Sequence, residues 1–249
     1  MSRFTPLDQN HIEPHMCSLD LRLYILGQLP FFKNLSKDQI LEINKKFVDR
    51  GYLSGDLIYA EGSAAERLYV MADGSVKLIQ TSPQGKEVLL DVLTTGDFFG
   101  GLFPTSNDIY RESAYAQTPV CVISIENSEF RKILQNYPQV ALSVMDIISE
   151  RLRDSQSFIR LISTATAEQR VAYTLVKLSE KLGEKSDVGL LIQLPLSRED
   201  IANMSALTTE TVSRIISKFQ KQTLIKTGRK WVAIRNVEGL KNILSQFMP

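Results

Sequence analysis

Five polar residues near the C-terminus fall at helical spacing: Thr209, Glu210, Ser213, Arg214 and Ser217. On a helix they share one side, opposite Val212, Ile215 and Ile216. Their side chains can bond to base edges. A guanidinium such as that of Arg214 can donate to both major-groove acceptors of guanine, and a carboxylate such as that of Glu210 can accept from the cytosine amino group. Ser213 can bond a base edge, and Thr209 can bond a base or offer its methyl group to thymine. Ser197, Arg198, Thr208 and Lys218 fall where side chains reach phosphates.

Such a face must be held against a groove, and the flanking residues describe how. Ser197-Arg-Glu-Asp200 opens a helix through Met204, Ser205-Ala-Leu207 forms a turn, and Thr208 caps a second helix running to about Gln222. Ile201, Ala202, Leu207, Val212, Ile215 and Ile216 can close one small core, with Ala202 small enough for a steep helix crossing. This is the helix-turn-helix plan, whose second helix enters the major groove. Leu224-Ile225 and Lys230-Trp-Val-Ala-Ile234 flank Thr227-Gly-Arg229 and predict a β-hairpin wing. A purely structural three-helix unit would need the apolar spacing but not the polar face, cap and wing together. Charge agrees: residues 167–249 carry 13 Lys/Arg against 8 Asp/Glu, whereas residues 1–166 carry 16 against 20. A basic end on a mildly acidic body suits a polyanion.

The preceding region has a different texture. Residues 1 to about 18 show no period and read as an extension, followed by a short helix over Leu19–Leu26. Ser36-Lys-Asp-Gln39 is a capping box before a helix with Ile40, Ile43 and Phe47 on one face. From Arg50 to Ile125, short apolar segments are punctuated by glycine, as in a sandwich or barrel. Ala72-Asp-Gly74 marks a tight hairpin. Pro138 then starts a long helix in which Ala141, Met145, Ile148, Leu152, Ser155, Ile159 and Ile162 repeat at 3.5-residue spacing. Val144, Ile147 and Phe158 widen the stripe, so one side can cover the β domain while the seam meets a second copy. Thr166-Ala-Glu-Gln169 caps a further helix to about Leu182, and Gly183 and Gly189 bracket a loop.

Several classes are disfavoured. No run of 18 apolar residues predicts a membrane span, and the N-terminus lacks a secretory core, so a cytoplasmic location is expected. Two cysteines, Cys17 and Cys121, define neither a disulfide framework nor a four-cysteine metal site. A jelly-roll enzyme of the cupin type needs His and carboxylate ligands inside its barrel, and no histidine lies between Asp49 and Ile125. No enzyme is therefore expected. The only histidines, His11 and His15, stand with Cys17 in His-x3-His-x-Cys, a weak candidate metal or haem set beside the plainer reading of an unstructured tail.

The chain resembles the Crp/Fnr superfamily of bacterial regulators, from about Leu29 to the C-terminus. The resemblance rests on Leu29-Pro-Phe-Phe32, Gly55-Asp56, Glu61-Gly62, Leu68-Tyr-Val70, Gly74-Ser-Val-Lys77, Gly85-Lys-Glu87 and Gly96-Asp-Phe-Phe-Gly100. It rests further on Ser197-Arg-Glu-Asp-Ile-Ala202 and Thr208-Thr-Glu-Thr-Val-Ser-Arg214. It implies an α+β chain: an extension (1–28), a cyclic-nucleotide-binding-like β jelly roll as sensor (29–136), a dimerisation helix (137–165) and a winged helix-turn-helix (166–249). The implied function is regulation of transcription, as activator or repressor, by a homodimer on duplex DNA, with RNA polymerase as partner of an activator. Glu210, Ser213 and Arg214 resemble the fumarate–nitrate branch, implying palindromic sites with TTGAT-like half-sites.

The resemblance also bears on the signal. Gly100, Gly101 and Leu102 are similar to the start of the nucleotide-phosphate cassette, but Gly101 replaces the ribose-binding Glu of the nucleotide-binding members. Arg111 falls nearest their phosphate-binding Arg, and Ser155-Gln156 falls at their Thr-Ser pair. Cyclic AMP is thus not the expected effector, and two cysteines exclude a four-cysteine iron–sulfur cluster. A cyclic-nucleotide-binding module acting through protein contacts is the alternative implied function.

Overall fold

A computed structural model describes residues 17–83, 85, 87–102, 108–192, 196–229 and 231–245. His11, His15, Lys86 and Lys230 lie outside the described residues. The chain forms two compact units divided between Arg153 and Asp154.

In the first unit, α1 (Leu19–Gln28) begins where Ser18 Oγ accepts from the Leu21 amide at 3.2 Å. It runs past the expected end at Leu26 and stops before Pro30, which forces Leu29 into extended backbone. Helix α2 (Lys37–Asn44) opens on the expected capping box, with Ser36 and Gln39 exchanging bonds of 2.8 and 3.3 Å. Eight strands follow: β1 (Val48–Tyr52), β2 (Leu57–Tyr59), β3 (Arg67–Asp73), β4 (Val76–Thr81), β5 (Glu87–Leu93), β6 (Phe98–Gly100), β7 (Ser113–Ala116) and β8 (Val120–Glu126). They form two four-stranded antiparallel sheets, β1-β8-β3-β6 and β2-β7-β4-β5, which is the expected jelly-roll arrangement.

Period-2 alternation divides the interior in two. Tyr69 and Met71 of β3 and Val120 and Val122 of β8 join one core with Tyr59, Val76, Leu93 and Phe99 of the other strands. Leu68 and Val70 of β3 and Cys121, Ile123 and Ile125 of β8 join a second core with the helices. That second core contains Ile25 and Leu26 of α1, Phe31, Phe32, Ile40, Phe130 of α3 (Asn127–Asn136), and Val140 and Val144 of α4 (Pro138–Thr164). The segment from Cys17 onward thus packs with the β sandwich instead of standing apart as an extension. Cys17 is bonded to Cys121 over a sequence separation of 104, with Cα atoms 6.4 Å apart. Sequence reasoning leaves both cysteines unpaired; the inward face of β8 brings them together.

Helix α4 begins at Pro138, as its fixed φ favours. Its Val140 and Val144 are fully buried, while Leu142, Met145, Ile148, Leu152 and Ile159 are exposed. An Arg151 N–H donates to Phe98 O at 3.1 Å, and its guanidinium lies 4.3 Å from the Phe98 ring centroid.

In the second unit, α5 (Ala167–Leu182) starts on the capping box of Thr166 and Gln169. The expected loop between Gly183 and Gly189 is instead a hairpin, β9 (Gly183–Ser186) and β10 (Gly189–Ile192). Helices α6 (Arg198–Met204) and α7 (Thr209–Lys221) precede the wing strands β11 (Ile225–Gly228) and β12 (Trp231–Ile234), and α8 (Val237–Leu244) follows. The wing belongs to a four-stranded sheet, β11-β12-β10-β9. Leu190, Leu191 and Ile192 pair with β12, whose four residues are all buried, and that burial explains the hairpin.

Candidate nucleic-acid interface

The core beneath the polar face forms as the apolar spacing requires. Ile201 and Val212 are fully buried, Ala202 is 2% exposed, and Ile215, Ile216 and Phe219 are buried. Phe219 extends the predicted core by one helical turn. Ser205 is also fully buried, and its hydroxyl donates to Ile201 O at 2.6 Å, closing the end of α6. Between the helices, Ala206 adopts φ +52°, a left-handed conformation that costs a residue with a Cβ roughly 1 kcal/mol. That reversal turns the chain between α6 and α7.

The caps match their sequence signals. Ser197 Oγ accepts from the Asp200 amide at 3.0 Å, and Asp200 Oδ2 accepts from the Ser197 amide at 2.8 Å. Thr208 Oγ1 accepts from the Thr211 amide at 3.2 Å. Both hydroxyls therefore sit at helix N-termini, where free amides and the helix dipole also favour anions.

On α7, Thr209, Glu210, Arg214, Ser217 and Lys218 are exposed and Ser213 is half-buried. The Ser217 hydroxyl donates to Ser213 O at 2.8 Å. The two basic residues read as phosphate contacts have intramolecular partners as well. Lys218 Nζ lies 2.5 Å from Glu168 Oε2, tying α7 to the start of α5. Arg198 Nη2 donates to Thr227 Oγ1 at 3.1 Å, tying α6 to wing strand β11, and burial lowers its pKa from the ordinary guanidinium value. The bond between Arg198 and the wing is not legible in sequence, because Thr227 lies 29 residues away.

Gly100 has φ +84° and faces Arg67 O, and a Cβ on Gly101 would collide with Asn127 Nδ2. The glycines thus permit close approach of backbone and side chain. Leu102 packs against the helix-side core. Arg111 is well exposed and sits 3.9 Å from Asp108. The neighbouring Glu112 accepts from Tyr59 Oη at 2.9 Å, beside a stack of Tyr59 on Tyr110 with centroids 3.8 Å apart. Burial, then Glu112, raises the Tyr59 pKa well above the ordinary phenol value. Asn127 is buried with Oδ1 unpartnered among the described residues, and its amide N–H donates to Ala65 O. Glu112 and Asn127 carry no family signal in sequence; Glu112 lies beside Arg111, just before β7. Ser155 and Gln156 are exposed on α4.

Of His11, His15 and Cys17, only Cys17 lies among the described residues. Cys17 is in a disulfide and has no free thiolate to offer a metal, because the fold seats it against Cys121. Among the described residues no cluster of three or more His, Cys, Asp or Glu could hold a metal ion. No helix among them is long and apolar enough to cross a membrane.

Comparison with known proteins agrees with both units. Residues 49–137 match the cyclic nucleotide-binding domain, and residues 169–243 match the Crp-like helix-turn-helix domain. The chain is 26% identical to the CRP-like cAMP-activated global transcriptional regulator of Mycobacterium tuberculosis, covering 87% of this chain and 96% of that protein. It is 27% identical to the fumarate and nitrate reduction regulatory protein of Vibrio cholerae, covering 88% of each. The solved structure of FixK2 from Bradyrhizobium japonicum superposes with a TM-score of 0.70 at 27% identity, covering 79% of this chain and 96% of that one. The chain belongs to the Crp/Fnr-type transcription regulators. Its relatives carry the names of regulators, not of enzymes.

Proposed function

We propose that this chain regulates transcription from the cytoplasm as a homodimer that binds a palindromic DNA site with TTGAT-like half-sites. One observation carries the DNA reading: Thr209, Glu210, Arg214 and Ser217 form an exposed polar face backed by the buried Val212, Ile216 and Phe219. Arg214 and Glu210 read base edges together with Ser213 and Thr209. Ser197, Thr208, Arg198 and Lys218 set the register on phosphates. In this role Lys218 exchanges its Glu168 partner for a phosphate.

The exposed row of Met145, Ile148, Leu152 and Ile159 supports dimerisation through residues 137–165, with residues 29–136 as sensor and 166–249 as DNA reader. A two-fold dimer places its half-sites about one helical turn apart. If the protein activates, RNA polymerase is its further partner. Cyclic AMP is not the expected signal: Gly101 offers no ribose-binding carboxylate, Arg111 is turned to solvent, and Glu112 sets a carboxylate beside Tyr59.

Selection of binding sites from random DNA, with and without cyclic nucleotides, tests this reading. A two-fold symmetric site bound without nucleotide is expected. A site lacking symmetry would overturn the dimer, and no preference over bulk DNA would favour a module acting through protein contacts.

A further inference from the structure

We propose that Cys17 and Cys121 form a reversible redox latch that fastens the start of α1 to strand β8. Alternation on β8 turns Cys121 to the same side as Ile123 and Ile125, into the helix-side core. Cys17 directly precedes Ser18, the N-cap of α1, and packs half-buried against that core. Their Cα separation of 6.4 Å lies within the range a disulfide spans, so closing the bond needs no backbone rearrangement. The two cysteines are the only ones in the chain.

Disulfides are rare in a reducing cytoplasm, and those that occur there are mostly catalytic or redox-sensing. Closure proceeds by exchange with a small disulfide such as oxidised glutathione. The more accessible Cys17 thiolate attacks one sulfur of that disulfide and releases one equivalent of thiol. The Cys121 thiol then loses its proton and attacks the Cys17 sulfur, releasing the second equivalent. Two cysteine thiols are oxidised and one small disulfide is reduced to two thiols; a dithiol reverses the exchange.

The latch acts on a cooperative core. Ile25 and Leu26 of α1 share the helix-side core with Val140 and Val144 of α4, so release of the α1 start loosens the packing under α4. Use of this state as the signal for DNA binding rests on the function proposed above; the existence of the latch does not.

The test equilibrates the full-length chain in mixtures of reduced and oxidised glutathione, alkylates free thiols, and identifies linked peptides by mass. The Cys17–Cys121 pair should appear within single chains as the mixture becomes oxidising and vanish with a dithiol. Closure should slow amide exchange in α1 by at least about tenfold, as expected when a fraying terminal element is tied down. Cys17→Ser should abolish both responses. Cys121→Ala serves as a second variant, since it places no polar atom in the core. Full alkylation of both cysteines in the most oxidising mixture, links only between chains, or unchanged α1 exchange would overturn the latch. So would a metal ion holding both thiols, detected as alkylation that begins only after a chelator is added. A selected DNA site should be bound with affinities differing at least about fivefold between the two states, the lower end of typical coupling between sites. Equal affinities would remove the signalling role. A latch that opens and closes in a chain that binds no DNA would leave the latch standing and overturn the DNA reading.

Discussion

Replacing Leu152 by Glu separates a dimerisation seam from a surface that is merely apolar. Leu152 is 58% exposed in the single chain, and its seam neighbours Met145 and Ile159 are each 59% exposed. Full burial of a leucine is worth roughly 1.5–3 kcal/mol, so covering the exposed half in a dimer contributes about 1–1.5 kcal/mol per copy. A two-fold seam contains the residue twice, giving about 2–3 kcal/mol for loss of the leucines alone, or roughly a 30- to 150-fold weaker dimer. Two facing carboxylates in an apolar seam add repulsion and desolvation, so dimer should be undetectable at micromolar protein. The single chain should keep its fold, because the side chain already meets water. Sedimentation equilibrium reads the association, and the far-ultraviolet spectrum and thermal midpoint check the fold. A Leu152→Glu chain that dimerises as tightly as the parent would refute the seam. A chain that unfolds would show that Leu152 supports its own domain.

Arg214→Ala should cost roughly 1–3 kcal/mol of specific DNA binding and relax selection at one base pair per half-site, measured by competition with single-base variants. Glu168→Gln removes the partner of Lys218 and a negative charge; binding to all duplexes should tighten modestly at low salt and the gain should fade as salt rises. Ala206→Gly should raise the stability of the DNA-reading unit by roughly 1 kcal/mol, since glycine tolerates φ +52°, with DNA affinity unchanged. Phe219→Ala empties a fully buried site and should cost about 3–5 kcal/mol, seen as loss of the unit's cooperative melting.

Local signals in the chain were enough for much of the architecture. Ser36, Thr166 and Ser197 announced helix starts because a capping box is satisfied within four residues. The spacing of Val212, Ile215 and Ile216 oriented α7, because helical period alone decides which side is apolar. The same logic assigned the buried and exposed sides of α4, although an exposed seam shows its partner only in an assembly.

What remained depended on distant residues. The β9–β10 hairpin looked like a loop until β12 supplied a neighbour for its apolar residues. The bond from Arg198 to Thr227 forms only once the wing has folded back on α6. Cys17 read as a possible metal ligand until the sandwich turned Cys121 toward α1. Caps, periods and turns are satisfied by neighbours along the chain, so the amino-acid order alone determined them. Pairing between residues tens of positions apart depends on which faces the packed sheets and helices present, and only the tertiary structure decided that.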